Sequence, residues 1–461
     1  MNKMNLNDTI AAVCTPSGNG GISVIRISGA NAVNIADSIF LSPAGKKLAD
    51  VPSHTVHYGF IKDKYGNTAD EVLVSVMLAP KTYTREDVVE ISCHGGILST
   101  KKTLLCVLDA GARMAQPGEF TKRAFLNGRI DLCEAESVID IINSQTDTAH
   151  NVAVNQLEGR LSDEINKLRE KLLTLTSHVQ VLIDYPDEDL EPLTDSEFAQ
   201  TLESIYNGIT SLLATADGGR IIKDGVNTVI AGKPNVGKSS LLNLLAGENR
   251  AIVTDIEGTT RDAIEDYVNV GGVALKIADT AGIRNTDDVI ENIGVEKSKQ
   301  YIKNADLVIY MTDGKKPLDE NDLSIIDSLN GKCAIALVNK CENGCVPNID
   351  ELKKHFNRVI KFSVHTKLGA NELADEIKRL FDIGDISKSG GAVITNIRHI
   401  DALNKAQKSV KSALDDVRRG IPADMTFIDL QDALSSLGEI VGLTVSEEIV
   451  DKIFHNFCLG K

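Results

Sequence analysis

The chain has 461 residues, 42% of them hydrophobic and 25% charged, with a net charge of −16; that is about three domains' worth of chain, each able to close a core without staples. The acidity excludes a protein coated in basic nucleic-acid-binding surface, though not one with a local basic patch. Apolar runs such as residues 72–79 fall far short of the ~20 residues that cross a bilayer.

The start, MNKMNLNDTI, lacks the apolar stretch of a signal peptide. Eight scattered cysteines argue against a disulfide scaffold and fit a reducing compartment, so the expected location is cytoplasmic. Cys341 and Cys345 are close, but no second Cys or His pair stands near to complete a zinc site.

Residues 1–118 read as a strand-rich unit. Its β-branched runs, Ile22 to Ile27, Val72 to Leu78 and Val88 to Ser92, are separated by glycine and proline. Gly18, Gly20 and Gly21 superficially suggest a dinucleotide fingerprint, but they do not fit G-x-G-x-x-G and a strand follows. Between Pro117 and Pro186 there is no proline. There Ala135 to Gln145 and Ala149 to Leu182 carry apolar residues at helical spacing, as in Leu157, Leu161, Ile165, Leu168 and Leu172. This predicts long amphipathic helices over 119–223, broken at the acidic turn DYPDEDLEP. From Asp224 to Gly384, strand-like VNTVIA, ALKIAD, LVIYMTD and AIALVN alternate with helical stretches, the pattern of a parallel α/β sheet. A linker, DISKSGG, opens residues 385–461, which are helical again. The fold class is therefore multidomain α/β plus α, with the α/β unit inserted into a helical domain whose two parts flank it.

Residues 232–239, GKPNVGKS, fit G-x-x-x-x-G-K-[ST] between a strand and a helix. Glycines let backbone N–H groups turn around phosphate oxygens, and the helix N-terminus adds a favourable dipole. Lys238 is expected to reach the β- and γ-phosphates, and Ser239 to ligate Mg²⁺. Asp279-Thr280-Ala281-Gly282 ends a strand, which sets a carboxylate near Mg²⁺ and a glycine N–H near the γ-phosphate. Between the two lies Gly258-Thr259-Thr260-Arg261-Asp262, where a switch segment would offer a threonine to the metal. Asn339-Lys340-Cys341-Glu342 stands where GTPases carry the guanine-reading N-K-x-D, with Glu in place of the final Asp. Ser363-Val364 stands where an S-A loop normally meets the base. GTP is the expected nucleotide.

Ras-like enzymes orient the attacking water with a Gln just after D-x-x-G. Here that position is Ile283, which cannot hydrogen-bond to water, so a carboxylate in RNTDDVIENIGVEKS must serve. Spacing alone does not separate Asp287, Asp288 and Glu291. No arginine finger is assignable. Asn235 either holds a monovalent cation against the phosphates or is a turn-forming residue after proline.

Further segments, GGISVIRISG, YTREDVVEISCHGG, PGEFTKRAFLNGRIDL, IDYPDED and the terminal Phe457-Cys458-Leu459-Gly460-Lys461, together with the nucleotide motifs, resemble the MnmE (TrmE) family of tRNA modification GTPases over essentially the whole chain. The resemblance implies a tetrahydrofolate-binding, dimerising N-terminal domain and a Ras-like P-loop GTPase domain inserted in the helical domain. It implies a GTP contact set of Asn235, Val236, Gly237, Lys238, Ser239, Ser240, Thr254, Asp255, Ile256, Glu257, Gly258, Thr259, Thr260, Asp279 to Gly282, Asn339, Lys340, Glu342, Ser363 and Val364. It implies K⁺ held by Asn235, Thr254, Ile256 and Thr259 in place of an arginine finger, Mg²⁺ on Ser239 and Thr260, and Glu291 and Lys238 as the catalytic pair. For 5-formyltetrahydrofolate or methylenetetrahydrofolate it implies Arg26, Glu90, Arg129 and Lys461. Lys is usual where Arg129 stands, and Gly where Arg85 stands.

The implied partners are a second copy of the chain, the flavoprotein MnmG (GidA) in a heterotetramer or larger complex, and tRNA, with no membrane. The implied product is an aminomethyl or carboxymethylaminomethyl group at C5 of the wobble uridine. Cys458 is either a reactive thiol for that chemistry or a small buried residue near the chain end. Two other classes compete: a GTP-switched RNA- or ribosome-binding protein without modification chemistry, and a membrane-remodelling GTPase, for which no anchoring segment is found.

Overall fold

Alternating apolar and polar residues bury one face of each early strand, and the computed structural model pairs seven strands into one sheet. It describes residues 8–16, 18–184, 194–248, 266–277, 302–342, 344, 349–381 and 391–461. Strands β1 (Ile10–Val13), β2 (Ile22–Ser28), β3 (Phe40–Leu41), β4 (Thr55–Lys62), β5 (Thr68–Met77), β6 (Val88–His94) and β7 (Arg113–Met114) lie in the order β3-β4-β5-β6-β2-β1-β7. β2 and β6 are antiparallel, with Arg26 opposite Glu90. Ile25 and Ile27, which flank Arg26, point into the core beneath helices α1 (Ala32–Ile39) and α2 (Ile97–Asp109). Neither helix is predicted above. α1 is only two turns long, and α2 exposes Ile97 and Leu98 in its first turn, which blurs the apolar stripe.

Helix α3 (Glu119–Leu126) leads to α4 (Leu132–Asn143), which starts on an Asp131–Glu134 capping box. The helical spacing through Ala149 to Leu182 does not make one rod. It divides into α5 (Asp147–Leu157) and α6 (Arg160–Asp184). Gly159, at φ +87, takes the left-handed turn between them, and Leu157 is left partly exposed instead of buried. Helices α7 (Asp195–Leu213) and α8 (Ala216–Asp224) follow.

The second sheet contains β8 (Val226–Ala231), β9 (Asp266–Val270), β10 (Val273–Ile277), β11 (Leu307–Asp313), β12 (Ala334–Asn339) and β13 (Arg358–Lys361), in the order β13-β12-β11-β8-β10-β9. It is not purely parallel, as expected above: β9 and β10 form an antiparallel hairpin at the edge. Gly271 and Gly272, both at positive φ, make that two-residue turn possible. Helices α9 (Lys238–Glu248), α10 (Glu320–Ser328), α11 (Ile349–Leu352) and α12 (Ala370–Phe381) belong to this unit.

The chain then returns to the helical body beside the point where it left. Ile394 N donates to Thr215 Oγ1 (3.0 Å), and Gln156 Nε2 donates to Val393 O (2.9 Å). A Cβ on Gly219 would stand 2.0 Å from Ile394 O, so only glycine admits this crossing. Departure and return side by side are what an insertion requires. Helices α13 (Ile397–Arg418) and α14 (Phe427–Val441) complete a bundle with α6 and α7, and α15 (Glu447–His455) carries the terminal residues back to the first sheet. Beneath α4 a buried polar hub forms: Arg398 donates to Glu136 from Nε (3.0 Å) and Nη2 (2.9 Å), and His399 Nε2 lies 2.8 Å from Glu136 Oε2.

Among the described residues no helix is long and apolar enough to cross a membrane, and no metal-holding cluster of His, Cys, Asp and Glu occurs. Cys14, Cys93, Cys106, Cys133, Cys333 and Cys458 are free, whereas Cys341 is disulfide-bonded, a departure from uniformly reduced cysteines.

Candidate active site

β8 ends at Ala231 and α9 starts at Lys238, so residues 232–237 are the turn between them. Gly232, Asn235 and Gly237 all have positive φ, at +145, +61 and +109. A Cβ on Gly232 would stand 2.2 Å from Met311 O, and one on Gly237 would stand 2.4 Å from Asn339 Nδ2. The loop thus closes against β11 and β12 without room for side chains. Asn is one of the few residues that takes Asn235's conformation at low cost. Lys238 Nζ donates to the carbonyls of Gly232 (2.9 Å) and Lys233 (2.7 Å), which curls the ammonium over the loop, and burial lowers its pKa. Ser239 and Ser240 lie in the first turn of α9, at the positive end of its dipole.

The base-reading segment is tied to this loop directly. Asn339 Nδ2 donates to Val236 O (2.8 Å), and its Oδ1 accepts from Val364 N (3.3 Å). Lys340, at φ +66, donates to Asp313 Oδ2 (2.6 Å) and lies 3.4 Å from Asn235 O. Burial pushes the Asp313 carboxyl up, but the Lys340 ammonium beside it outweighs that and leaves its pKa low. Ser363 Oγ accepts from Thr366 N (3.2 Å), which shapes the neighbouring loop. Glu342 is exposed beyond Cys341. Sequence reasoning missed Asp313 and Gly314. Its available signal was the acid and glycine that end the buried run LVIYMTD.

The segments expected to complete this site lie outside the described residues. They include Thr254, Asp255, Ile256, Glu257, Gly258, Thr259 and Thr260, then Asp279, Thr280, Ala281, Gly282 and Glu291.

A second cluster forms on the first sheet. Arg26 Nε donates to Glu90 Oε1 (2.8 Å), while Arg26 Nη1 is buried with no hydrogen-bond partner. The Tyr83 ring brings Arg129 into the same group, with the Arg129 Cζ 4.8 Å and the Arg26 Cζ 5.3 Å from its centroid. Lys461 arrives through the tail: Cys14 Sγ donates to Gly460 O (3.1 Å), and Lys461 is near enough to act electrostatically on Cys14. Burial nevertheless dominates and raises the Cys14 thiol pKa. Gly460, at φ +92, allows the fit, since a Cβ there would meet Val13 O at 2.4 Å. All four residues that the resemblance assigns to folate, Arg26, Glu90, Arg129 and Lys461, are thus gathered here, with Cys14, Tyr83 and Phe120 as neighbours that sequence reasoning missed. Cys458, one turn back on the tail, is exposed rather than buried.

Arg85 also finds its explanation. Its φ is +59, the left-handed conformation in which glycine is at ease, and its Nη1 donates to Asn127 O (2.9 Å).

A strand, a phosphate-binding turn and a helix, with an Asn-Lys loop bonded onto the turn, define a P-loop GTPase, an enzyme that hydrolyses GTP. The chain matches the family model described as GTP-binding protein TrmE N-terminus over residues 9–129 and that of the MnmE helical domain over residues 132–458. It is 51% identical over 459 residues to the tRNA modification GTPase MnmE of Geobacillus thermodenitrificans, covering 98% of this chain and 99% of that one. It is 49% identical over 462 residues to the protein of the same name from Clostridioides difficile, covering 99% and 100%. Among solved structures it is similar to Era of Aquifex aeolicus bound to GDP and AlF4⁻, at 28% identity over 40% of this chain and 66% of that one, with a TM-score of 0.27. The chain belongs to the MnmE family.

Proposed function

We propose that this chain is a potassium-dependent GTP hydrolase that, with the flavoprotein MnmG (GidA), adds an aminomethyl or carboxymethylaminomethyl group at C5 of the wobble uridine of certain tRNAs. The observation that supports this best is the joining, in one chain, of a phosphate loop with the Arg26–Glu90 cluster reached by the C-terminal tail. A switch protein without modification chemistry has no use for the second site. We assign residues 1–118 to folate binding and dimerisation, 224–384 to the G domain, and 119–223 with 385–461 to the helical domain. The working assembly is a cytoplasmic homodimer combined with MnmG.

In the G domain, Lys238 lies over the phosphate loop, ready to meet the β- and γ-phosphates, and Glu291 orients the attacking water. Asn339 fixes the base-reading loop to the phosphate loop, so base recognition and phosphate position are set together. The positive φ of Gly232, Asn235 and Gly237 bends the loop before the N-terminus of α9, a backbone shape that suits a triphosphate. Ser239 and Thr260 would hold Mg²⁺, and Asn235, Thr254, Ile256 and Thr259 would hold K⁺. These ions supply positive charge beside the phosphates when bound. In the N-terminal domain, the buried, unpartnered Arg26 Nη1 fits a polar ligand, and Arg26, Glu90, Arg129 and Lys461 would hold the folate that donates the carbon.

The test is steady-state GTP hydrolysis in KCl against NaCl at equal ionic strength, with Asn235→Ala and Glu291→Ala alongside. Activation by potassium of about tenfold or more, lost in Asn235→Ala, and a slow Glu291→Ala enzyme are expected. Equal rates in both salts would indicate a GTPase that works without the cation.

A further inference from the structure

Tyr83 lies on the loop between β5 and β6, and this loop is strapped down from several sides. Thr82 Oγ1 donates to Glu86 O (2.6 Å), and Ser28 Oγ donates to Glu86 Oε2 (2.7 Å). The fully buried Arg123 reaches both Glu86 oxygens at 3.2 Å, and Asn127 Nδ2 donates to Thr84 O (2.7 Å). Within that frame the Tyr83 hydroxyl is itself held, 2.9 Å from Thr121 Oγ1. Ring and loop therefore form a fixed platform, half-buried beside β2.

Two guanidinium groups rest on the platform. The Arg26 Cζ is 5.3 Å and the Arg129 Cζ 4.8 Å from the ring centroid. Two cations sharing one ring repel each other, and the ring's negative face offsets that repulsion. Arg129 is exposed and long, so without the ring its guanidinium would sample many rotamers. Arg26 is already fixed at Nε by Glu90, which leaves its buried Nη1 with an unmet donor. A carboxylate or carbonyl oxygen entering beside them would meet a prearranged pair of planar donors. Prearrangement raises affinity because the ordering cost is met before the ligand arrives.

We propose that Tyr83 is a positioning residue of the folate site, holding Arg26 and Arg129 in the arrangement that receives the ligand's anionic and carbonyl oxygens. This rests on the folate reading given above. It adds to that reading a residue that touches the arginines rather than the ligand.

The experiment uses the full chain with Tyr83→Leu and Tyr83→Phe. Two quantities are measured: the affinity for 5-formyltetrahydrofolate by calorimetry, and the arginine Nε–Hε resonances of the ligand-free protein by NMR. In wild type, ring currents from Tyr83 are expected to shift the Arg26 and Arg129 signals upfield. Tyr83→Leu should abolish the Arg129 shift, reduce that of Arg26, whose Cζ also lies 5.6 Å from the Phe120 ring centroid, and weaken folate binding by about tenfold. Tyr83→Phe, which keeps the ring and loses only the bond to Thr121, should retain the shifts and stay within about threefold of wild-type affinity. An unchanged set of other arginine signals and an unchanged melting midpoint would show that Tyr83→Leu is folded.

If wild type binds and Tyr83→Leu binds equally well, the positioning role is overturned while the folate reading stands. If the resonances do not move in Tyr83→Leu, the stacking itself is overturned. If wild type does not bind 5-formyltetrahydrofolate, the folate reading fails and this role fails with it.

Discussion

At Gly237 the backbone sits at φ +109, and a methyl group there would stand 2.4 Å from Asn339 Nδ2, the group that joins the base-reading loop to the phosphate loop. Gly237→Ala therefore meets two obstacles at once, a disfavoured conformation and a collision with a buried amide. GTP affinity should fall at least about tenfold, measured by titration with a fluorescent GTP analogue, while the first sheet remains folded. Affinity within twofold of wild type would mean that the loop yields at little cost. This glycine was legible in the sequence because its neighbours in the motif are its neighbours in space. Asp313 was not, because its role is defined by Lys340, which arrives from the next strand. Tyr83 escaped for the same reason: its ring matters through Arg26 on β2 and Arg129 beyond α3.

Among the elements, those legible from sequence were the ones with unambiguous periodicity. LVIYMTD and AIALVN coincide with β11 and β12 residue for residue, since strands buried on both faces read as unbroken apolar runs. The division of α5 from α6 was hidden because the apolar spacing continues across it, and one glycine in an amphipathic stretch is a weak break. The packing of α15 was equally hidden, since it depends on Gly118 some 330 residues away, counted from about 118 to about 450. Gly118 is at φ +68, its N–H is 3.4 Å from Cys458 O, and a Cβ there would meet Phe454 O at 2.4 Å. Gly118→Ala should push α15 off α3 and α4 and the tail off the first sheet. Folate affinity should drop severalfold, and residues 447–461 should become cleavable in limited proteolysis. A tail that stays resistant would show that Phe454 and Phe457 anchor it without that close approach.

For the molecule as a whole, the buried hub joins α4 of the first helical part to α13 and α14 of the second. Burial pushes the Glu136 carboxyl up, but His399 and Arg398 outweigh this and hold it at about 2. Because the folded value lies below the unfolded one, the stabilisation is present in full above about pH 4.5 and is lost as pH falls towards 2. Urea unfolding of the helical signal at pH 5 and at pH 3 should show a larger loss for wild type than for Glu136→Gln, which has no carboxyl to titrate. Equal losses would place the acid sensitivity elsewhere. One turn on, Asp140 pairs with Lys223 of α8 at 2.9 Å, beside a cavity of about 580 Å³ between α4, α5 and α8 and the β9–β10 edge.

The inserted sheet is hung from two tethers that touch, one through Thr215 and the other through Ile394, 3.0 Å apart. The same sheet also rests on α5 and α8, whose Ala149, Val152 and Ile222 share its core, and Arg220 Nη2 donates to Asp306 Oδ1 (3.2 Å). A shift of the sheet would therefore press on these helices directly as well as pull through the adjoining chain at Thr215 and Ile394.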